Sequence, residues 1–383
     1  MALSNTKKHK KEVFTLGKIR AFLQKKDIIF SGKRYGIDAM GAMAQGLFCT
    51  LLVGTILNTI GTQFNIGFLK AIIVTIGSGE GAVKYTIGGL ASALVGPGIA
   101  VAIGFALKAP ALVLFSLIPV GFATNAMGGA GGPLAVYVVA IIACEFGKLV
   151  SKETKVDILV TPIVTILIGI GLASVVAAPI GTAASAVGSA VGWATNLQPF
   201  LMGIVISVII GIALTLPISS AAICAALTLT GLAGGAAVAG CCAQMVGFAV
   251  MSFRENRWGG LVAQGIGTSM LQMPNIIKNP KIWIPPTLAS AITGPIATCI
   301  FKLEMNGSAV SSGMGTCGFV GQIGVYTGWV NDIASGAKDA ITAMDWIGLV
   351  LICFVLPAVL SWVFSLILRK WGWIKENDLK LEL

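Results

Sequence analysis

The stretch "ILVTPIVTILIGIGLASVVAA" (158–178) opens a run that continues to residue 253 without Asp, Glu, Lys, Arg or His. Crossing a hydrocarbon core of about 30 Å takes about 20 helical residues, so this run alone accommodates several membrane spans. The whole chain agrees, because 56% of its 383 residues are hydrophobic and 11% are charged, whereas a soluble domain has about 25% charged residues. The sequence therefore predicts an all-α polytopic membrane protein.

Dividing the uncharged windows at glycine, proline and charge predicts about ten transmembrane helices. They are 37–61, 86–107, 109–127, 131–149, 158–178, 199–216, 218–233, 236–253, 284–302 and 345–368.

Four further apolar stretches are short or rich in Gly, Ser, Thr, Asn and Gln, namely 64–78, 181–196, 258–275 and 307–326. Irregular backbone at membrane depth persists only where protein or a watery cavity surrounds it. We expect these four stretches to be re-entrant or broken helices, which in transporters form substrate sites near the middle of the membrane.

The distribution of Lys and Arg predicts the orientation. Placing both termini in the cytoplasm leaves 22 of the 26 basic residues inside, as the positive-inside rule requires. We therefore predict a basic cytoplasmic tail (1–34), one transmembrane domain (35–370) and a cytoplasmic C-terminal tail (371–383), in the plasma membrane of a bacterium.

The N-terminal tail holds ten Lys and Arg against two acids and supplies eight of the eleven net positive charges. Val13, Leu16, Ile19 and Leu23 recur in it at helical spacing, which is typical of an amphipathic helix lying on anionic lipid. A DNA-binding arm is the alternative, but no DNA-binding module follows. We expect a lipid partner and no nucleic acid.

The sequence offers no catalytic chemistry. Its one histidine, His9, lies in the basic tail, and no nucleotide-binding lysine loop or Cys/His metal motif occurs. Gly313, Gly315 and Gly318 form a G-x-G-x-x-G, but it lies between predicted spans rather than in a soluble α/β unit. We predict no catalytic residues, no metal and no cofactor, and assign these glycines to the tight turn of a re-entrant hairpin.

Polar side chains in and beside the irregular stretches are the candidate substrate ligands, because amides offer both donors and acceptors to a polyol. The predicted set is Glu80, Asn125, Gln264, Gln272, Asn275, Asn306, Ser311, Ser312, Gly313, Gly315 and Gln322. The substrate would lie between 64–80, 307–326 and the amides of 264–275. Each amide alone is also explained as a contact between helices, and Glu80 as the partner of Lys84. Glu145 and Lys148 are expected to form an ion pair.

The run "GIGTSMLQMPNIIKNPKIWIPPTLASAITGPIATCIF" (265–301), with "NGSAVSSGMGTCGFVGQIG" (306–324), resembles the membrane IIC component of the bacterial phosphoenolpyruvate-dependent sugar phosphotransferase system. The similarity is to the standalone IIC-type family, some of whose members are labelled putative toxin regulators. It implies an elevator-type, homodimeric sugar transporter that works with IIA and IIB phosphocarrier proteins.

The chain departs from the well-studied sugar IIC proteins, which have a membrane histidine and a glutamate in a G-[IV]-T-E-P-like loop. Here "LPISSAAI" (216–223) has at best a comparable position in the chain and is only distantly similar to that loop. Either IIA and IIB are separate proteins, or phosphorylation has been dropped.

Two other functions stay open from the sequence. One is a membrane sensor or regulator that binds a ligand without net transport. The other is an exporter of a lipid-linked or amphipathic molecule.

Overall fold

The computed structural model describes residues 20–381, and helices dominate it. The predicted amphipathic helix around Val13 and Leu16 lies outside the described residues, although residues 20–25 are helical. The main helices are α1 (Arg34–Gln63), α2 (Ile87–Ala93), α3 (Val95–Ala106), α4 (Ala111–Gly128), α5 (Gly132–Val150), α6 (Asp157–Ala194), α7 (Pro199–Thr215), α8 (Ser220–Ala226), α9 (Gly231–Met251), α10 (Phe253–Val262), α11 (Met273–Lys278), α12 (Ile284–Pro295), α13 (Ala309–Ser312), α14 (Val320–Ala334) and α15 (Ala343–Lys370).

Wider π-helical turns lie within α1 and α15 and continue α10 and α12, and single 3₁₀ turns join several helices. The π-helical segments are Arg34–Asp38, Phe48–Leu52, Ala263–Gly267, Ile296–Ile300 and Leu351–Val355, and the 3₁₀ turns are Gly79–Gly81, Gly129–Gly131, Ser269–Gln272, Pro280–Trp283 and Cys317–Phe319.

Within the described residues, five helical stretches are long and apolar enough to cross a membrane, and the bent pair α2 and α3 makes a sixth. One of the five is 40 residues long and contains both α4 and α5. These two are antiparallel, since Gly147 near the end of α5 packs against Val113 near the start of α4. The predicted span 218–233 is broken, because only Ser220–Ala226 is helical before α9 begins.

The helix α6 is a single helix of 38 residues, roughly 57 Å long and much longer than the hydrocarbon core. The prediction of a broken stretch at 181–196 is therefore wrong. The Thr182 and Ser185 hydroxyls donate to the carbonyls of Ala178 and Gly181 one turn earlier. Ser and Thr hydroxyls that donate hydrogen bonds to carbonyls of the preceding turn do not interrupt a helix.

The stretch 64–78 is also not a broken helix. After a helical turn at Gly67–Lys70, the chain forms a two-stranded antiparallel hairpin of β1 (Val74–Ile76) and β2 (Val83–Tyr85), with Thr75 opposite Lys84. Glycines with positive φ at 77 and 79 make the turn, a conformation that glycine adopts at no steric cost. The β-branched residues Val74, Thr75 and Ile76 and the aromatic Tyr85 favour the strands.

The helices form two groups that pack mainly within themselves. The first group is α1 to α6, in which α6 packs along both α4 and α5. The second group surrounds α9, which contacts α7, α12 and α15 and is 94% buried over its most apolar window. Small residues permit this packing: a Cβ on Gly240 of α9 would lie 1.9 Å from the Ser207 carbonyl oxygen of α7. Close approach through small residues is typical of helix contacts in membranes.

One end of the bundle holds a buried cluster of charged groups. Lys148 of α5 is 1% exposed, and its Nζ lies 3.1 Å from Glu145 Oε2, which confirms the predicted ion pair. The same Nζ donates to the carbonyl oxygens of Asp27 and Leu107, at 2.7 and 3.0 Å. The pair therefore ties the chain before α1 to the loop between α3 and α4.

We call this end the basic face. Arg34 at the start of α1 bonds to Asp27 at 2.5 Å, and Arg369 at the end of α15 bonds to Glu255 at 2.7 Å. Both ends of the described chain lie here, because Lys380 contacts Asn275 of α11, and α11 packs against Arg34–Asp38. The end with the β-hairpin is the opposite face.

Candidate functional site

Two helical hairpins enter the bundle from opposite faces and meet beside the middle of α9. Hairpin 1 (253–278) starts at the basic face, and hairpin 2 (305–334) starts at the opposite face. The turn of hairpin 1 at Ala263–Gly267 contacts the turn of hairpin 2 at Cys317–Phe319. The prediction of broken helices at 258–275 and 307–326 is confirmed.

Hairpin 1 turns at Thr268, whose extended backbone ends the helical run. The next residue, Ser269, places its hydroxyl 2.8 Å from the Thr215 hydroxyl at the end of α7. Thr215 in turn donates to Gln244 Oε1 of α9 at 3.3 Å. Gln244 lies seven residues before the end of α9 at Met251, so the tip is about two helical turns deep.

Hairpin 2 is held closed at the opposite face by Asn306. Its Nδ2 donates to Asp332 Oδ2 of the returning arm at 2.9 Å and to Glu304 Oε2 at 3.1 Å. Its Oδ1 accepts from the Gly231 backbone at 3.1 Å. Asn306 thus joins both arms of the hairpin to the start of α9.

The tip of hairpin 2 depends on its glycines. Gly315 and Gly318 have φ values of 52° and 51°, the left-handed region that glycine favours. A Cβ on Gly315 would lie 2.6 Å from the Cys241 Cβ, and one on Gly318 would lie 2.1 Å from Ile56 Cγ1. The G-x-G-x-x-G therefore makes a tight turn against α9 and α1, as the sequence predicts.

Serine hydroxyls attach this tip to the start of α8 and to the loop between α8 and α9. Ser220 Oγ donates to the Gly313 carbonyl at 2.7 Å, and Ser312 Oγ donates to the Leu229 carbonyl at 2.7 Å. Ser311 is 7% exposed and packs against Gly324 of the returning arm. Three interrupted segments therefore converge here.

Gln322, in the first turn of α14, has an unsatisfied polar atom. Its Nε2 donates to Cys242 Sγ of α9 at 3.2 Å. Its Oε1 is buried and has no hydrogen-bond partner among the described residues, and the residue is 8% exposed. An unpaired buried acceptor costs about 1–3 kcal/mol, so such a group calls for an external donor such as a ligand hydroxyl or a water.

Three predicted amides form a chain along hairpin 1. Gln272 Nε2 donates to Gln264 Oε1, and Asn275 Nδ2 donates to Gln272 Oε1, each at 2.8 Å. Gln264 Nε2 also donates to Ser252 Oγ at 2.9 Å. The structure thus brings these amides together, and they hydrogen-bond one another.

Two predicted residues lie outside both hairpins. Asn125 is in α4 and packs against Gly96 and Gly132 within the first group. Glu80 lies in the turn of the β-hairpin, and its side chain is outside the part of the chain that the structure describes.

Sequence reasoning did not select Thr215, Ser220 or Ser269 as site residues. The first two flank the short non-helical turn 216–219, which contains Pro217. Because proline cannot donate to a helix, a proline between two predicted spans that are short for a crossing was the available signal for a third interruption.

A cavity of about 950 Å³ lies elsewhere, between α1, α3 and the outgoing arm of hairpin 1. Its walls are mainly small or apolar, as at Gly46, Cys49, Gly98 and Leu271, and its polar groups, such as Asp38 and Lys380, lie toward the basic face. Such small and apolar groups offer a polyol few hydrogen bonds, whereas the hairpin tips carry hydroxyls and amides. We therefore place the candidate site at the tips. We call the cavity the crevice.

The family described as phosphotransferase system, EIIC, matches residues 37–381. The chain belongs to this family. The match includes both hairpins and continues through the segment after α15. A search of curated proteins and a search of solved structures each found no significant match.

Membership of the EIIC family defines the protein's general role. It is a membrane permease component of a sugar phosphotransferase system, and such a component works with IIA and IIB proteins. The apolar helices agree with a multi-pass membrane protein. In this EIIC protein, the tips bring together hydroxyls, amides and backbone carbonyls.

Proposed function

We propose that the protein carries a neutral sugar or small polyol across the membrane by alternating access, with the substrate bound where the tips of hairpins 1 and 2 meet. The meeting of two hairpins from opposite faces beside a buried helix is the observation that carries this proposal. In secondary transporters, discontinuous helices of this kind hold the substrate near the middle of the membrane.

The proposed contacts come from both tips. Gln322 Oε1 is a free acceptor for a substrate hydroxyl, and Ser311, Ser312, Gly313 and Gly315 form the adjacent turn. The amides Gln264, Gln272 and Asn275 support hairpin 1 from behind the site. Asn306 closes hairpin 2 at its outer end.

We propose that the basic face is cytoplasmic, because the basic residues cluster there as the positive-inside rule requires. A IIB protein would then phosphorylate the sugar at this face. The second helix group with both hairpins is the proposed moving unit of an elevator, and the first group is the static part of a homodimer. The division of packing into two groups supports this assignment.

Uptake into proteoliposomes tests the proposal with a panel of radiolabelled neutral hexoses and pentitols. We expect Gln322→Ala to lower uptake about tenfold, as the loss of one buried hydrogen bond predicts. Gln198→Ala, at an exposed glutamine before α7, is the control and should transport like the wild type.

Wild-type uptake by Gln322→Ala, Asn306→Ala and Gln272→Ala together would reject the proposed site. Sugar binding without flux would favour the sensor hypothesis. Export of an amphipathic molecule, with no uptake of any sugar on the panel, would favour the exporter.

A further inference from the structure

The segment after α15 crosses hairpin 1 without forming a helix or a strand. We call it the C-terminal strap (371–381). Leu379 is fully buried and Ile374 is 2% exposed, and both pack in the main hydrophobic core. The intervening residues 375–377 are exposed. Two apolar anchors therefore hold the strap.

Side-chain amides of hairpin 1 bind the main chain of the strap. Asn256 Nδ2 donates to the Leu379 carbonyl at 2.7 Å, and Asn256 Oδ1 accepts from the Leu381 N–H at 2.8 Å. An asparagine that pairs with the carbonyl of one residue and the N–H of the second residue after it uses the same main-chain groups that a neighbouring β-strand would bind.

Other amides extend this recognition. Gln272 Nε2 donates to the same Leu379 carbonyl at 3.0 Å, and Asn275 Nδ2 donates to the Lys380 carbonyl at 2.9 Å. Asn279 Nδ2 donates to the Trp373 carbonyl at 2.9 Å and to Asp378 Oδ2 at 2.8 Å. Hairpin 1 and the adjacent Asn279 thus bind backbone groups near both ends of the strap, and the Leu379 side chain is buried.

The strap also borders the crevice. Lys380 and Leu381 line its end at the basic face, together with Asn275 and Asp38. Cys49 lines the same crevice farther along α1 and is exposed. The crevice therefore contains this thiol and is lined by the strap at its basic-face end.

We propose that hairpin 1 carries a recognition site for a turn-containing peptide with a buried leucine, and that the chain's own C-terminal strap fills this site as a releasable closure of the basic-face end of the crevice. The proposal does not depend on the transported substrate. It predicts that loosening the strap exposes the crevice while the rest of the fold persists.

Maleimide labelling of the full chain in lipid nanodiscs tests the proposal. Leu379→Asp places a charge at this buried position, and Asn256→Ala removes the paired contact to the strap. We expect each change to raise the labelling rate of Cys49 about five- to tenfold, as the loss of one to two buried hydrogen bonds predicts. Cys299, an exposed thiol beyond α12, is the internal control and should keep its rate.

Matched variants separate the strap from general effects. Asn377→Asp adds the same charge at an exposed strap position, and Asn331→Ala removes an exposed asparagine of α14; both should label like the wild type. A peptide of sequence WGWIKENDLKL, added to the Leu379→Asp protein, should restore slow labelling of Cys49, and the peptide with Asp in place of its second-last Leu should not.

Labelling of Cys49 at the wild-type rate in a folded Asn256→Ala protein would overturn the proposal. So would failure of the peptide to slow labelling at saturating concentration. Asn256 is only half-buried, so this variant keeps the test decisive if Leu379→Asp prevents folding.

Discussion

At the scale of single residues, the site depends on a position that only glycine can occupy without strain. The turn of hairpin 2 requires a left-handed residue at 315 and leaves no space for a Cβ. The same turn holds Gln322 against Cys242. A substitution at Gly315 would therefore shift the backbone and move the side chain of Gln322, which is the candidate substrate-binding group.

Gly315→Ala should destabilise the fold by about 2–4 kcal/mol, because backbone strain and overpacking add. Thermal unfolding in detergent should show a lower Tm, and sugar uptake should fall with it. Gly171→Ala is the control, since no atom lies within 4 Å of a Cβ placed there and alanine favours a helix. An unchanged Tm for Gly315→Ala would contradict the described turn.

Lys148→Met should cost about 3–5 kcal/mol, because it leaves Glu145 buried without its partner. The double variant Lys148→Met/Glu145→Gln should recover much of the loss, since no uncompensated charge remains. Thermal unfolding of the two variants compares them directly. Equal stability of the single and double variants would show that the pair is not the source of the effect.

At the scale of elements, the sequence correctly predicts helices where apolar runs end at charged residues. The prediction of broken helices is wrong where polar groups hydrogen-bond within their own segment. The spans 37–61 and 345–368 correspond to α1 and α15. The stretches 64–78 and 181–196 fail for opposite reasons: the first pairs as strands, and the second continues a helix whose hydroxyls bond to their own backbone.

The two confirmed hairpins show which signal is reliable. In 258–275 and 307–326, glycines occur together with amides and hydroxyls, and the polar groups find partners on other elements. Partners such as the strap lie more than 100 residues away in the chain. Local pattern therefore predicts that a helix breaks, but the contacts of Gln264, Gln272 and Asn275 required the tertiary structure.

Residues 21–33, which precede α1, should lose the contribution of the Asp27–Arg34 ion pair only in acid. The hydrogen bond from Arg34 lowers the pKa of Asp27 below its ordinary value of 3.8, so the charged carboxylate stabilises the fold above the unfolded pKa. That contribution is lost as the pH falls through the lowered pKa. Hydrogen exchange of residues 21–33, normalised to an unstructured peptide, should stay slow at pH 5.

Asp27→Asn should speed that exchange at pH 7, where the wild type is protected. Glu376→Gln, which removes an exposed carboxylate at the same face, should leave it unchanged. If Asp27→Asn exchanges at the wild-type rate, the pair with Arg34 does not hold the segment.

At the scale of the whole molecule, Lys and Arg side chains are unequally distributed between the two faces. Lys148, Lys278, Arg34 and Arg369 lie at the basic face, whereas Lys302 and Lys338 border a small polar pocket at the opposite face. This sorting supports the proposed orientation with both termini in the cytoplasm.

Cysteine labelling of whole cells should reveal that orientation. An impermeant maleimide added outside should label Ser335→Cys, which is exposed at the opposite face, and should reach Lys375→Cys only after the membrane is permeabilised. The wild-type protein, with its exposed Cys49 and Cys299, sets the background. The reverse pattern would invert the proposed topology.

The strap also constrains the order in which the protein is assembled. The amides of Asn256, Gln272 and Asn275 receive their backbone partners from residues that are synthesised 105 to 125 positions later. Until those residues emerge from the ribosome, hairpin 1 has donors that hydrocarbon cannot satisfy. We therefore expect hairpin 1 to reach its final position only after α15 and the strap have been synthesised.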